Sequence, residues 1–369
     1  MFIGVFGTSE KKNEKRIPIH PDHFDYLEDH VLEKMYFEES YGESFGFDIK
    51  EYKDKVAGIL PRAEIFESCD ALLLPKFSEG DNANFKENQI VYGWPHCVQG
   101  ADITQVAIDK KLTLIAFEAM FSGRHHIFHK NNEMAGFASL NHCLQLNGIT
   151  GLYSKPMKAV VLGFGSTGRG AVTALQSQGI SNIEVYTQRP THLIQNQIPS
   201  ITYSQYKVKD NRAYYNSKEL LLEKLKDADI IVNCILQNPN NPIDFILNND
   251  VPTLKKNAMI VDVSCDIAMG FEFATPTTFD EPGFRVQDHI YYYGVDHTPT
   301  LYWNSSSYEL SKALLPFVEC MVKDKQAYKS NLILEKAVEV EQGVIKNVAI
   351  LEYQNRTAAY PHSLKDNDC

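Results

Sequence analysis

An α/β protein of two layered domains is what this sequence predicts. Its 369 residues exceed what one compact core usually holds, so about two or three domains are expected. Short apolar runs alternate with amphipathic stretches in two successive series. A glycine-rich turn, LGFGSTGRG, stands where the first strand of the second series meets a helix.

In chain order, FIGVF, KMYFEE, CDALLLP, QIVYGW and LTLIAFE read as strands, and PDHFDYLEDHV and ADITQVAIDKK as helices between some of them. A helix over roughly 133–147 leads through NGITG into the second series. Its strands are KAVVLG, NIEVYT, ADIIVNCI, AMIVDVS and YYYGV, spaced as βαβ crossovers require. From about Ser305 the pattern turns helical, with SSSYELSKALLPFVECMV and NLILEKAVEV. The polar tail after Tyr353 is expected to be loose.

In KAVVLGFGSTGRGAV, Gly163, Gly165 and Gly168 have GxGxxG spacing directly after a strand and at the start of a helix. Glycines also serve plain tight turns, but the strand before and the βαβ units after point to dinucleotide binding in a doubly wound parallel sheet. One glycine makes the turn, one lets the backbone approach a pyrophosphate and one allows close helix packing. The helix N-terminus supplies N–H groups and a positive dipole end, and Ser166 and Thr167 can add hydroxyl donors.

About twenty residues on, where an Asp or Glu would receive the ribose hydroxyls of NAD, the strand NIEVYT ends in Thr187, Gln188 and Arg189. A carboxylate repels a 2′-phosphate and an arginine pairs with it, so NADP(H) is expected in preference to NAD(H). A solvated loop cation is the competing reading of Arg189.

In the first series, Arg16, Lys76 and His96 each follow a different strand, where side chains carried on a rigid layer can converge. An arginine offers a fork for a carboxylate, while a lysine with a histidine supplies a cation and a proton shuttle, a set that suits a keto acid. Taken singly, each is more often structural. In IVDVSCDIAMG, Asp262 and Asp266 close a late strand of the second series, where a nicotinamide or a turn cap would use them. His125, His126 and His129 in GRHHIFH lack a Cys or acidic partner to complete a ligand set, so no metal is expected.

Composition narrows the partners. With 36 basic against 47 acidic residues, the net charge is −11, and no Lys/Arg run tracks a phosphate backbone, so nucleic acid is not expected. MFIGVFGTSEKKNEKR passes from a short apolar strand straight into charge, so neither a signal nor a spanning helix is expected and no membrane partner. The seven cysteines, Cys69, Cys97, Cys143, Cys234, Cys265, Cys320 and Cys369, are odd in number and form no CxxC pair. That composition fits a reducing cytoplasm.

SEKKNEKRIPIHPDH, LLLPK, the WPHC segment, LGFGSTGRGAV, VDVSCDIAMGFEFATPTTFDEP and VDHTPTLYWNSSSYELSKALLPF together resemble the alanine dehydrogenase and lysine-forming saccharopine dehydrogenase superfamily over nearly the whole chain. Within it the residues are most similar to those of carboxyethylornithine synthases. The resemblance implies two Rossmann-like domains with a cleft between them: a discontinuous substrate domain of residues 1–132 and 305–369, and a dinucleotide domain of residues 133–304. It also implies roles. Arg16 would hold a substrate carboxylate, Lys76 and His96 would do acid–base and electrostatic work, Asp266 would stand at the nicotinamide end, Glu118 and Arg124 would shape the substrate site, and His297 of the DHTPT block would contact the cofactor.

Two departures bear on the substrate. Phe77 stands where saccharopine dehydrogenase follows its lysine with an acidic residue, and the acidic strand end of an NAD site is missing. The expected reaction is therefore NADPH-dependent condensation of an α-keto acid, pyruvate first, with the side-chain amine of ornithine or lysine. Saccharopine chemistry on 2-oxoglutarate and lysine is the enzymatic alternative, with Arg124 as the extra cation. A catalytically silent, NADP-binding regulatory protein is the alternative of another class. Partners are then small molecules, a keto acid and an amino acid, and homo-oligomerisation stays open.

Overall fold

The computed structural model describes residues 1–215, 218–238 and 241–365; Cys369 lies outside them. Contacts divide the chain into two units, one of Met1–His129 with Trp303–Cys369 and one of Lys130–Tyr302.

In the first unit, six parallel strands run in the order Gly58–Leu60, Met35–Glu38, Ile3–Val5, Ala71–Lys76, Ile90–Trp94 and Thr113–Ala116. Numbered along the chain this is 3-2-1-4-5-6, the doubly wound order whose switch point lies between the first and fourth strands. The middle strands are near-continuous apolar runs because both faces are covered. Helix Trp303–Lys323 covers one face with Leu310, Leu314, Phe317, Val318 and Met321, side chains worth about 1.5–3 kcal/mol each when fully buried.

The second unit repeats the order. Thr202–Lys209, Asn182–Thr187, Lys158–Leu162, Ile230–Asn233, Met259–Asp262 and Ile290–Tyr293 lie parallel as another 3-2-1-4-5-6 sheet, extended at both edges by shorter strands. Helices His129–Leu146 and Ser166–Ser177 cross so closely that a Cβ on Gly136 would meet Thr167 O at 2.0 Å, and one on Gly170 would meet Glu133 O at 1.7 Å. The α/β class with two Rossmann-like sheets, expected from the alternation and the glycine turn, is the fold observed.

Three local expectations are corrected. PDHFDYLEDHV is not one helix but a 3-10 segment, Pro21–Tyr26, followed by the single turn Asp29–Leu32. NLILEKAVEV is helical only over Leu332–Lys336; Val338–Glu341 is a strand pairing antiparallel with Thr113–Ala116, which suits its β-branched alternation. The tail is not loose over 354–365. Gln354 Nε2 donates to Cys97 O at 2.7 Å, Arg356 is buried, and the buried His362 receives the Ile345 N–H through Nε2 at 3.1 Å.

Candidate active site

Three neighbouring strands of the first unit end together, and their ends carry Lys76, His96 and Glu118. Lys76 closes Ala71–Lys76 with its Cα paired to that of Trp94. His96 follows Trp94 and Pro95, and Glu118 lies in the 3-10 turn Phe117–Ala119 after Thr113–Ala116. His96 adopts a left-handed backbone, φ 48°, which costs a non-glycine residue roughly 1–2 kcal/mol and turns its N–H toward Glu118. That N–H donates to Glu118 Oε1 at 2.7 Å, and the imidazole Nδ1 lies 3.7 Å from the same oxygen. The His96 side chain is 47% exposed, open to a substrate.

Burial pushes the Glu118 carboxyl up to about 7; the buried Glu339 adds to the rise, while the His96 N–H and the charge of Lys76 oppose it. Glu118 Oε2 is buried with no hydrogen-bond partner among the described residues. Glu339 belongs to the strand missed from the sequence, and burial raises its carboxyl as well. A carboxyl titrating near neutrality beside a histidine and a lysine can hold or release a proton as charge develops nearby.

Arg16 is 6% exposed. Its Nε donates to Glu14 Oε1 at 2.8 Å, its Nη2 donates to Glu14 Oε2, and its guanidinium lies 5.5 Å from the centre of the Trp94 ring. The local chain is held by the SSSYELSK block: Ser307 Oγ receives the Ile17 N–H at 3.0 Å, His20 Nε2 lies 3.3 Å from Asn304 Oδ1, and His23 Nδ1 lies 2.8 Å from Ser311 Oγ. These polar residues of the late helix thus fasten the segment that follows Arg16. Glu14 was missed in the sequence because KKNEKR reads as a solvated charge run.

Two more residues missed in the sequence organise this end of the sheet. Glu38 accepts from the Gly7 and Thr8 N–H groups, both at 2.8 Å, and from Thr8 Oγ1 at 2.6 Å. The amides that would meet a phosphate at this unit's own first turn are therefore satisfied internally. Arg62 donates to Thr8 O at 2.8 Å and pairs with Asp81, linking that turn to the loop after Lys76. A cavity of about 720 Å³ opens among these loops, lined in part by Lys11, Phe77, Ser78, Gln99 and Asp102.

Arg124 is exposed at the turn between Phe121–Ser122 and His125–His126. His126 braces this hairpin: its Nδ1 receives the Phe128 N–H at 3.1 Å, and burial lowers its pKa. Among the described residues, no group of three or more His, Cys, Asp or Glu is placed to hold a metal.

The second unit carries the glycine turn. Gly163 has φ 90°, a conformation other residues rarely adopt. A Cβ on Gly168 would meet Gly163 O at 2.3 Å, whereas one on Gly165 would meet nothing within 4 Å, so the turn is closed on its inner side and open on its outer side. Gly165 caps helix Ser166–Ser177 without a side-chain hydrogen bond, leaving the N–H groups of its first turn facing that open side. This cradle fits a dinucleotide pyrophosphate.

Thr187 ends the next strand, and its Oγ1 accepts from the Arg189 N–H at 3.2 Å. Arg189 is exposed, and its guanidinium has no hydrogen-bond or ion-pair partner among the described residues. The Gln188 carbonyl accepts from Gln205 Nε2 at 2.8 Å. Asp262 is fully buried, with Oδ1 accepting from Asn233 Nδ2 at 2.9 Å and the Cys265 N–H at 3.1 Å, and Oδ2 from the Tyr292 hydroxyl at 3.0 Å. Burial raises it to about 7, and this set of partners marks it as a brace for the strand end. Asp266 is half-buried beyond it, raised by burial and then by Asp296. His297 has φ 46°, and its N–H donates to Asp296 Oδ1 at 2.6 Å.

Comparison with known proteins bears on both units. Residues 8–138 match the alanine dehydrogenase/PNT N-terminal domain and residues 135–348 the alanine dehydrogenase/PNT C-terminal domain. An N(5)-(carboxyethyl)ornithine synthase from Clostridium botulinum is 25% identical over 352 residues, covering 90% of this chain and 96% of that protein. Alanine dehydrogenase 1 from Staphylococcus aureus is 23% identical over 354 residues, covering 91% and 92%. A solved L-alanine dehydrogenase structure superposes with a TM-score of 0.74 at 19% identity, covering 96% of this chain and 99% of that one, a likeness of fold.

Proposed function

Because the chain belongs to the alanine dehydrogenase/PNT family, an oxidoreductase family that takes a nicotinamide dinucleotide and small-molecule substrates, we propose that it reductively condenses pyruvate with the side-chain amine of ornithine or lysine, using NADPH. The observation that carries this reading is the grouping of Lys76, His96 and Glu118 on adjoining strand ends, in a chain similar to N(5)-(carboxyethyl)ornithine synthases. The exposed, unpaired Arg189 supports the phosphorylated cofactor.

Arg16 orients the keto-acid carboxylate, with Glu14 fixing the plane of its guanidinium. The neutral amine attacks the carbonyl carbon, and the Lys76 ammonium stabilises the oxygen as it gains negative charge. His96 takes the proton lost by the attacking nitrogen and returns one to the departing hydroxyl, so that water leaves and an imine forms. Glu118, which accepts the His96 backbone N–H and lies 3.7 Å from its Nδ1, orients that imidazole. NADPH, when bound, would supply the hydride to the imine carbon, and one proton taken up from solvent completes the nitrogen of the secondary amine. Holding three components together lowers the barrier by removing their translational and rotational freedom in advance. The chemistry suits a reducing cytoplasmic setting, and no helix among the described residues is long and apolar enough to cross a membrane.

The test is loss of reduced-nicotinamide absorbance with pyruvate and NADPH, adding ornithine, lysine, ammonia or no amine in turn, with NADH and 2-oxoglutarate in parallel. Oxidation dependent on ornithine or lysine supports the reading. Activity with ammonia alone moves the chain to alanine formation, activity only with 2-oxoglutarate and lysine to saccharopine formation, and binding without turnover to a regulatory role.

A further inference from the structure

The sequence turn GSTGRG carries an arginine, Arg169, to which the proposed reaction assigns no role. Arg169 lies in the first turn of helix Ser166–Ser177, and its guanidinium stacks 4.4 Å from the centre of the Phe164 ring, inside the glycine turn. From there it reaches across to the segment after Arg189: Nη1 donates to Asn196 O at 2.6 Å and Nη2 to Gln195 O. Asn196 has φ 50°, so the backbone reverses where the arginine holds it.

Other contacts fold the same segment onto the same support. Tyr203 meets the Phe164 ring edge-on at 4.9 Å, and its hydroxyl receives the Ile198 N–H at 2.8 Å. Gln176 Nε2 donates to Pro199 O at 3.3 Å, Gln197 Nε2 to Thr191 O at 3.2 Å, and Ile194 is buried. Arg169 alone among these joins the phosphate turn to the segment through charge-assisted bonds, which are roughly twice as strong as neutral ones.

We infer that Arg169 is a positioning residue for cofactor selection: by fastening residues 195–196 to the glycine turn it orders the 188–197 segment and presents Arg189 to the 2′-phosphate of NADPH. The inference rests on the NADPH reading above. A guanidinium already committed to two carbonyls and a ring face is itself poorly placed to pair with the phosphate, so the two arginines divide the work. Arg169 sets the loop and Arg189 meets the charge.

The experiment compares the full chain with Arg169→Met, which keeps an apolar stem over Phe164 and loses the donors, and with Arg169→Lys, which keeps one. Amide hydrogen exchange without cofactor reads the loop, and fluorescence titration with NADPH and with NADH reads selection. Arg169→Met is expected to speed exchange within 190–198 at least tenfold, weaken NADPH at least tenfold and leave NADH within about threefold, with partial recovery in Arg169→Lys. Unchanged exchange, or equal weakening of both cofactors, overturns the inference. Equal affinity of the unsubstituted protein for NADPH and NADH overturns the cofactor reading instead, and the selectivity assigned to Arg169 with it.

Discussion

The His96 N–H donates to Glu118 Oε1 at 2.7 Å while Glu118 Oε2 lies buried with no partner among the described residues. One carboxylate is thus half satisfied, and burial raises it from 4.5 to about 7. The folded chain therefore holds a proton that the unfolded chain has released between those two values. Its stabilising effect is fully present below pH 4.5 and is lost as pH rises through 7. In Glu118→Gln this dependence disappears at that site, so the fall in melting temperature between pH 5 and pH 8 is expected to be shallower than in the unsubstituted protein by a few degrees. Glu339, Asp262 and Asp266, which burial raises in the same direction, contribute to the slope left over, and His126, which burial lowers, opposes it. Parallel melting curves across that range would exclude a titrating Glu118.

Lys76 faces the same carboxyl closely enough to lower its pKa, which puts its charge beside Glu118 at the strand ends. Lys76→Met keeps much of the stem and removes the ammonium. Turnover is expected to fall by 10²-fold or more, the usual scale for losing one stabiliser of a developing oxyanion. Affinity for NADPH, measured by fluorescence, should stay within about twofold, because the glycine turn belongs to the other unit. A variant that turns over normally would remove Lys76 from the mechanism.

The strongest periodic signals in the sequence correspond to the two sheets, because parallel strands buried on both faces must be continuous apolar runs, and a glycine turn directly between a strand and a helix marks the start of such a sheet. Lys76 and His96 stand just past such runs and were singled out for that reason, whereas Glu118 was indicated only by the family resemblance; the structure places all three on adjoining strand ends. Glu38 and Arg62 were not legible, since each lies in a charged or amphipathic stretch and acquires meaning only when a residue distant in sequence, such as Thr8 or Asp81, folds against it, and Glu14 was hidden because its buried pairing with nearby Arg16 sits inside a run that reads as solvated charge. The strand Val338–Glu341 was hidden because it continues directly from a helix and pairs with residues more than 200 positions earlier. A local pattern carries no trace of such a partner.

Gly170 illustrates a cost that only the packing reveals. As a helix position it would favour alanine by about 1 kcal/mol, yet the added carbon would stand 1.7 Å from Glu133 O and 2.7 Å from Glu133 C. Both are backbone atoms, so relief requires the two helices to move apart, and overpacking of this kind costs about 1–3 kcal/mol or more. Gly170→Ala is expected to lower the melting temperature and to weaken NADPH and NADH together, since the helix that moves carries the phosphate turn. A gain in stability would show that the crossing yields easily.

Arg189 gives the sharpest separation between the two cofactors. Its guanidinium is exposed and unpaired among the described residues, so removing it leaves no buried carboxylate without a partner and should cost the fold almost nothing. A charge-assisted hydrogen bond to a phosphate contributes about 1.5–3 kcal/mol, which at about 1.4 kcal/mol per factor of ten corresponds to roughly 10- to 100-fold in affinity. Arg189→Ala is therefore expected to raise the dissociation constant for NADPH by that factor while leaving NADH and the melting temperature nearly unchanged. Arg189→Asp should go further, repelling the 2′-phosphate and offering a carboxylate to the hydroxyls of NADH, so that the preference inverts. If both substitutions leave the ratio of the two affinities unchanged, the strand end at Thr187 does not read the 2′ position.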